Sequence, residues 1–268
     1  MTSKGQLYKE EYKLTFITPC VCAGANPKVP EIRAASIRGQ LRWWFRSLGT
    51  SLVSGFSSKD EIDVFGGVGK EAVASKLVVR VSNVDCQSDQ YTNVLTRPAF
   101  RIGTSFLLSL ELIREIEDTN RFELLKKAIQ MFLYLGSIGA HATRGYGCFV
   151  AEAKTGEIFS AETKIVDILS NIKSNLPSEF FFRGFPEEKF DSAVDCRVYL
   201  EKRLKEFRKR FNLPHDKPSA LGYITKGRES SALKLRPIQD KDGVFIPCIY
   251  YTDAACSQTS IKSLLGQF

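Results

Sequence analysis

The chain has 268 residues, a net charge of +8, a hydrophobic fraction of 43% and a charged fraction of 25%. Those values describe a folded globular protein and exclude a disordered or collagen-like chain, and the length suits two domains of about 130 residues. No run approaches the ~20 apolar residues of a membrane-spanning helix, and the polar stretch Met1–Tyr12 does not read as a secretory signal, so the expectation is a cytoplasmic protein with no membrane partner.

In chain order, Tyr8–Phe16 ends in apolar–polar alternation and predicts a strand. A loop holding Pro19, Pro27 and Pro30 leads to a helix predicted from Ile37 to Leu52, with Ser36 as its N-cap. Leu77–Val84 and Thr104–Leu112 read as strands, Phe122–Leu135 as a helix, Gly136–Gly147 as a glycine-rich loop and Cys148–Ala153 as a short strand. The order β-α-β-β-α-β is that of the ferredoxin-like, RRM-like unit, in which two helices cover one face of a four-stranded sheet. Residues 1–155 are therefore expected to form one such domain. Further on, Ile165–Asn175 predicts a helix, Phe180–Pro186 (FFFRGFP) an aromatic cluster packed between domains, and Val198–Phe211 an amphipathic helix. Strand patterns return at Leu233–Ile238 and Val244–Tyr251. Residues 156–268 thus read as a second, degenerate ferredoxin-like domain, and the fold class as α+β.

The basic excess is +5 in residues 1–155 and +3 in the remainder, so it is spread over folded segments rather than held in a tail. Such a balance suits a polyanionic partner. The seven cysteines contain no CxxC, and His141 and His215 are the only histidines, so no zinc site is predicted. The cysteines read as reduced, mostly buried small hydrophobes.

The most informative segment is Pro30–Leu48 (PEIRAASIRGQLRWWFRSL). On a helix, Ile37, Leu41, Trp44, Phe45 and Leu48 share the buried arc, and Arg38, Arg42 and Arg46 form a row along its flank. No carboxylate interrupts the row, although i,i+4 pairs on helices commonly alternate in sign. Arg33 adds a fourth cation near the helix N-terminus, whose free N–H groups and positive dipole suit a phosphate. Trp43 lies away from the apolar centre and is placed either to stack on a base or to pack. A solvated basic face, or arginines paired with distant acids, would show the same pattern.

The loop Gly136–Phe149 (GSIGAHATRGYGCF) places four glycines between a helix and a strand. Glycine lets a backbone pass close to a bulky neighbour, which is either a nucleic-acid backbone or the chain itself. Arg144-Gly145-Tyr146-Gly147 opens like the RRM signature, but Cys148 and Ala151 stand where that motif has aromatics, and the position precedes the wrong strand. A standard RRM is rejected, and so is a P-loop. A third basic segment, Lys226–Arg236 (KGRESSALKLR), could contact phosphates through Lys226 and Arg228, or be an ordinary loop.

Together, the N-terminal strand ending in TP, the helix PEIRAASIRGQLRWWFRSL, the DVFGG of Asp63–Gly67 and the glycine-rich loop resemble the RAMP superfamily of CRISPR proteins. The arginine–tryptophan helix and the RESSALKLRP segment are similar to one branch, the first-numbered subunit of the Cmr complex, the type III-B RNA-targeting effector. The resemblance implies two ferredoxin-like domains and membership of a multisubunit antiviral effector with other Cmr subunits. It further implies contact with the 3′ region of the crRNA, or with the target RNA paired to it, and no catalysis and no cofactor. It places RNA contacts at Arg33, Ser36, Arg38, Gly39, Arg42, Trp43 and Arg46, and at Gly139, His141, Arg144, Gly145, Tyr146 and Gly147. His141 and Thr143 depart from the family pattern, which is more basic there. Two other readings stay open. One is a metal-independent RAMP endoribonuclease processing CRISPR RNA through His141, Tyr146 and Arg144. The other is a purely structural assembly subunit, which the aromatic content would suit.

Overall fold

The computed structural model describes residues 8–68, 72–85, 91–94, 97–155, 164–213, 220–222, 231–252 and 261–268. Strand β1 (Lys9–Phe16) is followed by α1 (Ala34–Leu52), α2 (Ser58–Phe65) and a short ribbon of β2 (Gly67–Val68) with β3 (Ala72–Val73). Next come β4 (Leu77–Asp85), a second ribbon of β5 (Tyr91–Val94) with β6 (Arg97–Phe100), β7 (Ser105–Leu112), α3 (Thr119–Leu135) and β8 (Phe149–Thr155). The remainder holds α4 (Ile165–Asn175), β9 (Phe180–Gly184), α5 (Ala193–Arg210), β10 (Lys234–Gln239), β11 (Phe245–Thr252) and a 3₁₀ turn at Lys262–Gln267.

The larger sheet is antiparallel, with strand order β4-β7-β1-β8. Alternation along β1 decides its faces: Tyr12, Leu14 and Phe16 are fully buried, while Lys9 and Lys13 are exposed. Tyr12 lies opposite Leu108 and Leu14 opposite Phe106, so the apolar residues of both strands share one face. Against that face pack α1, through Ile37, Leu41, Trp44, Phe45 and Leu48, and α3, through Leu125, Ala128, Ile129 and Phe132. The opposite face carries ion pairs, Arg80–Glu111 at 2.5 Å and Lys154–Glu152 at 2.6 Å. No aromatic side chain stands there among the described residues. RRM domains stack RNA bases on aromatics of such a face; this one offers no such platform.

The smaller sheet is antiparallel with order β10-β11-β9. Every residue of its central strand β11 is buried, because both faces are covered. Ile249 and Tyr251 face α5 through Leu200, Leu204 and Phe207, while Ile246, Cys248 and Tyr250 join the core that holds α1 and α3. That double burial explains the unbroken apolar run in sequence. Trp44 is the hinge of this packing: fully buried, its ring stacks on Phe180 at 6.0 Å and on Tyr250 at 5.6 Å. An interior ring of this size is worth ~3–5 kcal/mol against alanine. Arg236 crosses from β10 into the larger unit, its Nη2 donating to the Phe149 carbonyl at 2.6 Å and its Nε to that of Tyr134 at 3.2 Å. The aromatic segment FFFRGFP supplies β9, an edge strand of the smaller sheet, and its side chains reach both cores, Phe180 and Phe182 the first and Phe181 and Phe185 the second.

Two expected helix starts need correction, and one helix lies outside the sequence reading. Helix α1 begins at Ala34, three residues before the expected start at Ile37, with Arg33 rather than Ser36 as N-cap, in extended conformation and with no side-chain cap, because Ala34 and Ala35 readily extend the helix. Helix α5 begins at Ala193 rather than Val198, since the Ser192 hydroxyl accepts from the Val194 amide at 3.1 Å. Helix α2 was not anticipated; its signal is the capping box Ser57-x-x-Asp60, in which each side chain accepts from the other end's amide.

Candidate nucleic-acid interface

The arginine row of α1 is divided by one carboxylate. Glu61 on α2 is buried and accepts from Arg42 Nη2 at 2.6 Å and Nε at 2.9 Å, and from Arg46 Nε at 2.6 Å and Nη2 at 3.0 Å. Burial alone would raise the Glu61 pKa, but the hydrogen bonds from Arg46 and Arg42 outweigh it and hold the carboxyl below its ordinary value. The same contact raises the Arg46 pKa. Arg42 and Arg46 therefore clamp α2 onto α1, and the partner that helical spacing could not reveal lies 15 to 19 residues away in sequence. Arg38, half-buried one turn earlier, makes no ion pair among the described residues. Trp43 is half-buried, edge-on to Trp44 at 4.9 Å, with the Lys234 ammonium 4.6 Å from its ring centre. One face of the indole is thus already occupied, and its observed role is packing.

The glycine-rich loop is shaped by the chain's own backbone. Gly139 has φ +90°, and a Cβ there would stand 2.4 Å from the Val21 carbonyl oxygen; Gly147 has φ +64°, and a Cβ would stand 1.8 Å from the Ile138 carbonyl oxygen. No L-residue fits either position without displacing the backbone. His141 itself adopts the left-handed region at φ +59°, immediately before a 3₁₀ turn at Ala142–Arg144. Its ring lies edge-on to Tyr146 at 6.1 Å, and the Arg197 guanidinium covers the Tyr146 ring at 4.2 Å. Arg144 points inward, with Nη2 3.4 Å from the Leu221 carbonyl oxygen and Nη1 buried without a hydrogen-bond partner among the described residues; desolvation lowers its pKa. Lys226 and Arg228 lie outside the described residues.

What the structure brings together is the start of α1 and the glycine-rich loop. A groove of about 560 Å³ is lined by Cys22, Arg33, Ser36, Arg97, Gly139 and Ala140 among others. That size lies within the range of sites that take small-molecule or cofactor-sized groups, ~300–1,000 Å³. Two of its walls are backbone, held in place by the Ala140 amide donating to the Val21 carbonyl at 2.7 Å and the Glu31 amide to the Cys22 carbonyl at 3.1 Å. Its end is the first turn of a 19-residue helix with no side-chain cap and no acidic residue, an arrangement that favours an anion. Arg33 and Arg97 are both exposed at its rim. Sequence reasoning missed Arg97, Glu61 and Cys22. Arg97 stands on a two-stranded ribbon with no local signal of proximity to α1, and Glu61 is hidden on the unanticipated helix.

Fold and site together define an α+β protein with a cationic, partly backbone-walled groove where a helix N-terminus meets a glycine-rich loop. Residues 13–150 match the family model of the RAMP superfamily, and the chain belongs to that superfamily. It is similar to CRISPR system Cmr subunit Cmr1-2 of Pyrococcus furiosus, at 25% identity over 182 residues, covering 53% of this chain and 94% of that one. Among solved structures it resembles apo Cmr1 from Pyrococcus furiosus, with a TM-score of 0.58 at 19% identity, covering 94% of this chain and 89% of the other. It also resembles a chain of a type III-B Cmr-β complex bound to cognate target RNA, with a TM-score of 0.64 at 12% identity, covering 97% and 98%. The resemblance drawn from the first helix and the glycine loop is borne out for the superfamily and for its Cmr1-like relatives.

Proposed function

We propose that this chain is a non-catalytic, RNA-binding subunit of a type III-B CRISPR effector, working beside other Cmr subunits. In this reading the groove between α1 and the glycine-rich loop holds the sugar–phosphate backbone of the crRNA's 3′ region or of the target paired to it. The observation that carries it is the joint lining of one groove by Arg33, Ser36, Arg97 and Gly139 at an uncapped helix N-terminus. Backbone contacts of this kind are independent of base sequence, as an effector accepting any guide requires. Arg38 adds a cation on α1 with no ion pair among the described residues, whereas Arg42 and Arg46 serve mainly to hold α2 through Glu61. The two sheets are taken as two ferredoxin-like units, residues 1–155 and a degenerate second one in 156–268. The strand order β4-β7-β1-β8 with α1 and α3 on one face supports the first.

Photo-crosslinking of a 4-thiouridine RNA to the full chain, read by mass spectrometry, tests the location. Crosslinks are expected in peptides holding Cys22, Arg33 and Gly139–His141. Crosslinks confined to the exposed face of the larger sheet, around Lys13 and Arg80, would refute the groove.

A further inference from the structure

The groove has a chemical feature that RNA binding does not use. Cys20 and Cys22 flank Val21 on an extended segment, and the Cys20 thiol donates to the Cys22 sulfur at 3.3 Å. Cys20 is fully buried, whereas Cys22 is half-buried and lines the groove. We propose that Cys20 and Cys22 form a redox-modification site, a dithiol that a peroxide converts to a disulfide.

The two sulfurs are chemically unequal. The hydrogen bond from Cys20 lowers the Cys22 pKa against the opposing effect of burial, with the Glu31 amide and the Arg33 guanidinium adding to the lowering and the Glu31 carboxylate opposing it. Burial pushes the Cys20, Cys196 and Cys248 thiols the other way. Cys22 is thus the more accessible and more acidic thiol and Cys20 the adjacent buried one, the division of labour of an attacking and a resolving cysteine. The Cys22 thiolate attacks one peroxide oxygen, the O–O bond breaks, and a sulfenic acid forms with release of hydroxide. The Cys20 sulfur then displaces the sulfenic oxygen, which leaves as water with the Cys20 proton. One peroxide is reduced by two electrons and one S–S bond is made.

The bond has a structural consequence. Residues two apart on an extended strand lie about 6.4–6.8 Å apart, at the upper end of the Cα separations a disulfide spans, so the segment must shorten. All three of its carbonyls are pinned from different sides: Cys20 by the Phe100 amide at 2.9 Å, Val21 by Ala140 at 2.7 Å and Cys22 by Glu31 at 3.1 Å. Shortening therefore pulls on the β6 ribbon, the glycine-rich loop and the approach to α1, which are the walls of the groove. Weaker RNA binding in the oxidised form follows, and that second consequence rests on the function proposed above.

The test uses the full chain treated with hydrogen peroxide, then alkylated and digested with trypsin. The peptide Leu14–Lys28 contains Cys20 and Cys22 and no other cysteine. It is expected to appear unalkylated and lighter by two hydrogens, and to regain two alkyl groups after phosphine reduction. Cys20→Ser should stop the reaction at a dimedone-reactive Cys22. A peptide that keeps two alkylatable thiols while other cysteines oxidise would overturn the proposal, as would dimedone labelling of neither residue in Cys20→Ser. RNA titration of the oxidised chain, with phosphine reversal as the control, reads the consequence. A reduced chain that binds no RNA would count against the RNA reading, while the peptide mass would still decide the disulfide.

Discussion

Replacing Glu61 by glutamine isolates the clamp between α1 and α2. The side chain is 6% exposed and takes four hydrogen bonds from two guanidinium groups. Hydrogen bonds to charged groups contribute ~1.5–3 kcal/mol where buried. The Arg46 side chain is 58% exposed, so solvent screening leaves its pair worth ~0–1 kcal/mol. Arg42 is 30% exposed and supplies most of the remainder. Glutamine keeps the volume but faces guanidinium donors with an amide, so the expected loss at pH 7 is about 2 kcal/mol, or a fall in Tm of about 4–8 °C for a chain of this size. The pH dependence follows in sign. The Glu61 pKa is depressed in the folded state, so its contribution is present above the unfolded carboxylate pKa and is lost as pH falls through the folded one. Asp60, held by hydrogen bonds from Ser57 and Arg121, and Asp63, held by Lys76 and Arg121, are both lowered in pKa despite partial burial and share that behaviour. Melting curves at pH 7 and across the acid range should show wild type and Glu61→Gln separated at neutrality and converging below about pH 4. Melting of the two proteins within a degree of each other at pH 7 would refute the clamp.

Two glycines should respond in opposite directions. Gly39→Ala, on the exposed face of α1 with nothing within 4 Å of the added Cβ, should stabilise the chain by ~0.5–1 kcal/mol. Gly139→Ala, at φ +90° against the Val21 carbonyl, should destabilise it by ~1–3 kcal/mol; equal and small effects in thermal melts would show that the loop is not held as described. Arg42→Ala/Arg46→Ala should lower Tm while leaving the salt dependence of RNA binding close to that of wild type. A large change in that slope without destabilisation would return both residues to the RNA surface.

Much of the fold was legible because periodicity is local. The alternation of β1, the apolar arc of α1 and the aromatic run of β9 each report their own burial, and the structure places them accordingly. The site was legible in part. Arg33 and the glycine-rich loop stood out by residue type, but their meeting in one groove depends on β6 and the Val21–Ala140 contact, which no spacing encodes. The glycines at 139 and 147 had two explanations in sequence, and the observed one is the close approach of the chain to itself. The arginine row shows the same limit: the carboxylate that pairs Arg42 and Arg46 sits on another helix. Arg236, which ends the basic segment and lies within the strand read at Leu233–Ile238, is a buried strut between the two sheets, 2% exposed.

The central claim is that the groove binds an RNA backbone through Arg33 and Arg97. Its most direct test is the salt dependence of affinity for a labelled single-stranded RNA, comparing wild type with Arg33→Ala/Arg97→Ala, shown to be folded by circular dichroism. Each phosphate contact on a single strand adds about 0.7 to the slope of log K against log salt. The double variant should bind more weakly and lose about 1–1.5 from that slope. An unchanged slope with unchanged affinity would contradict the claim and leave the groove without a role in RNA binding.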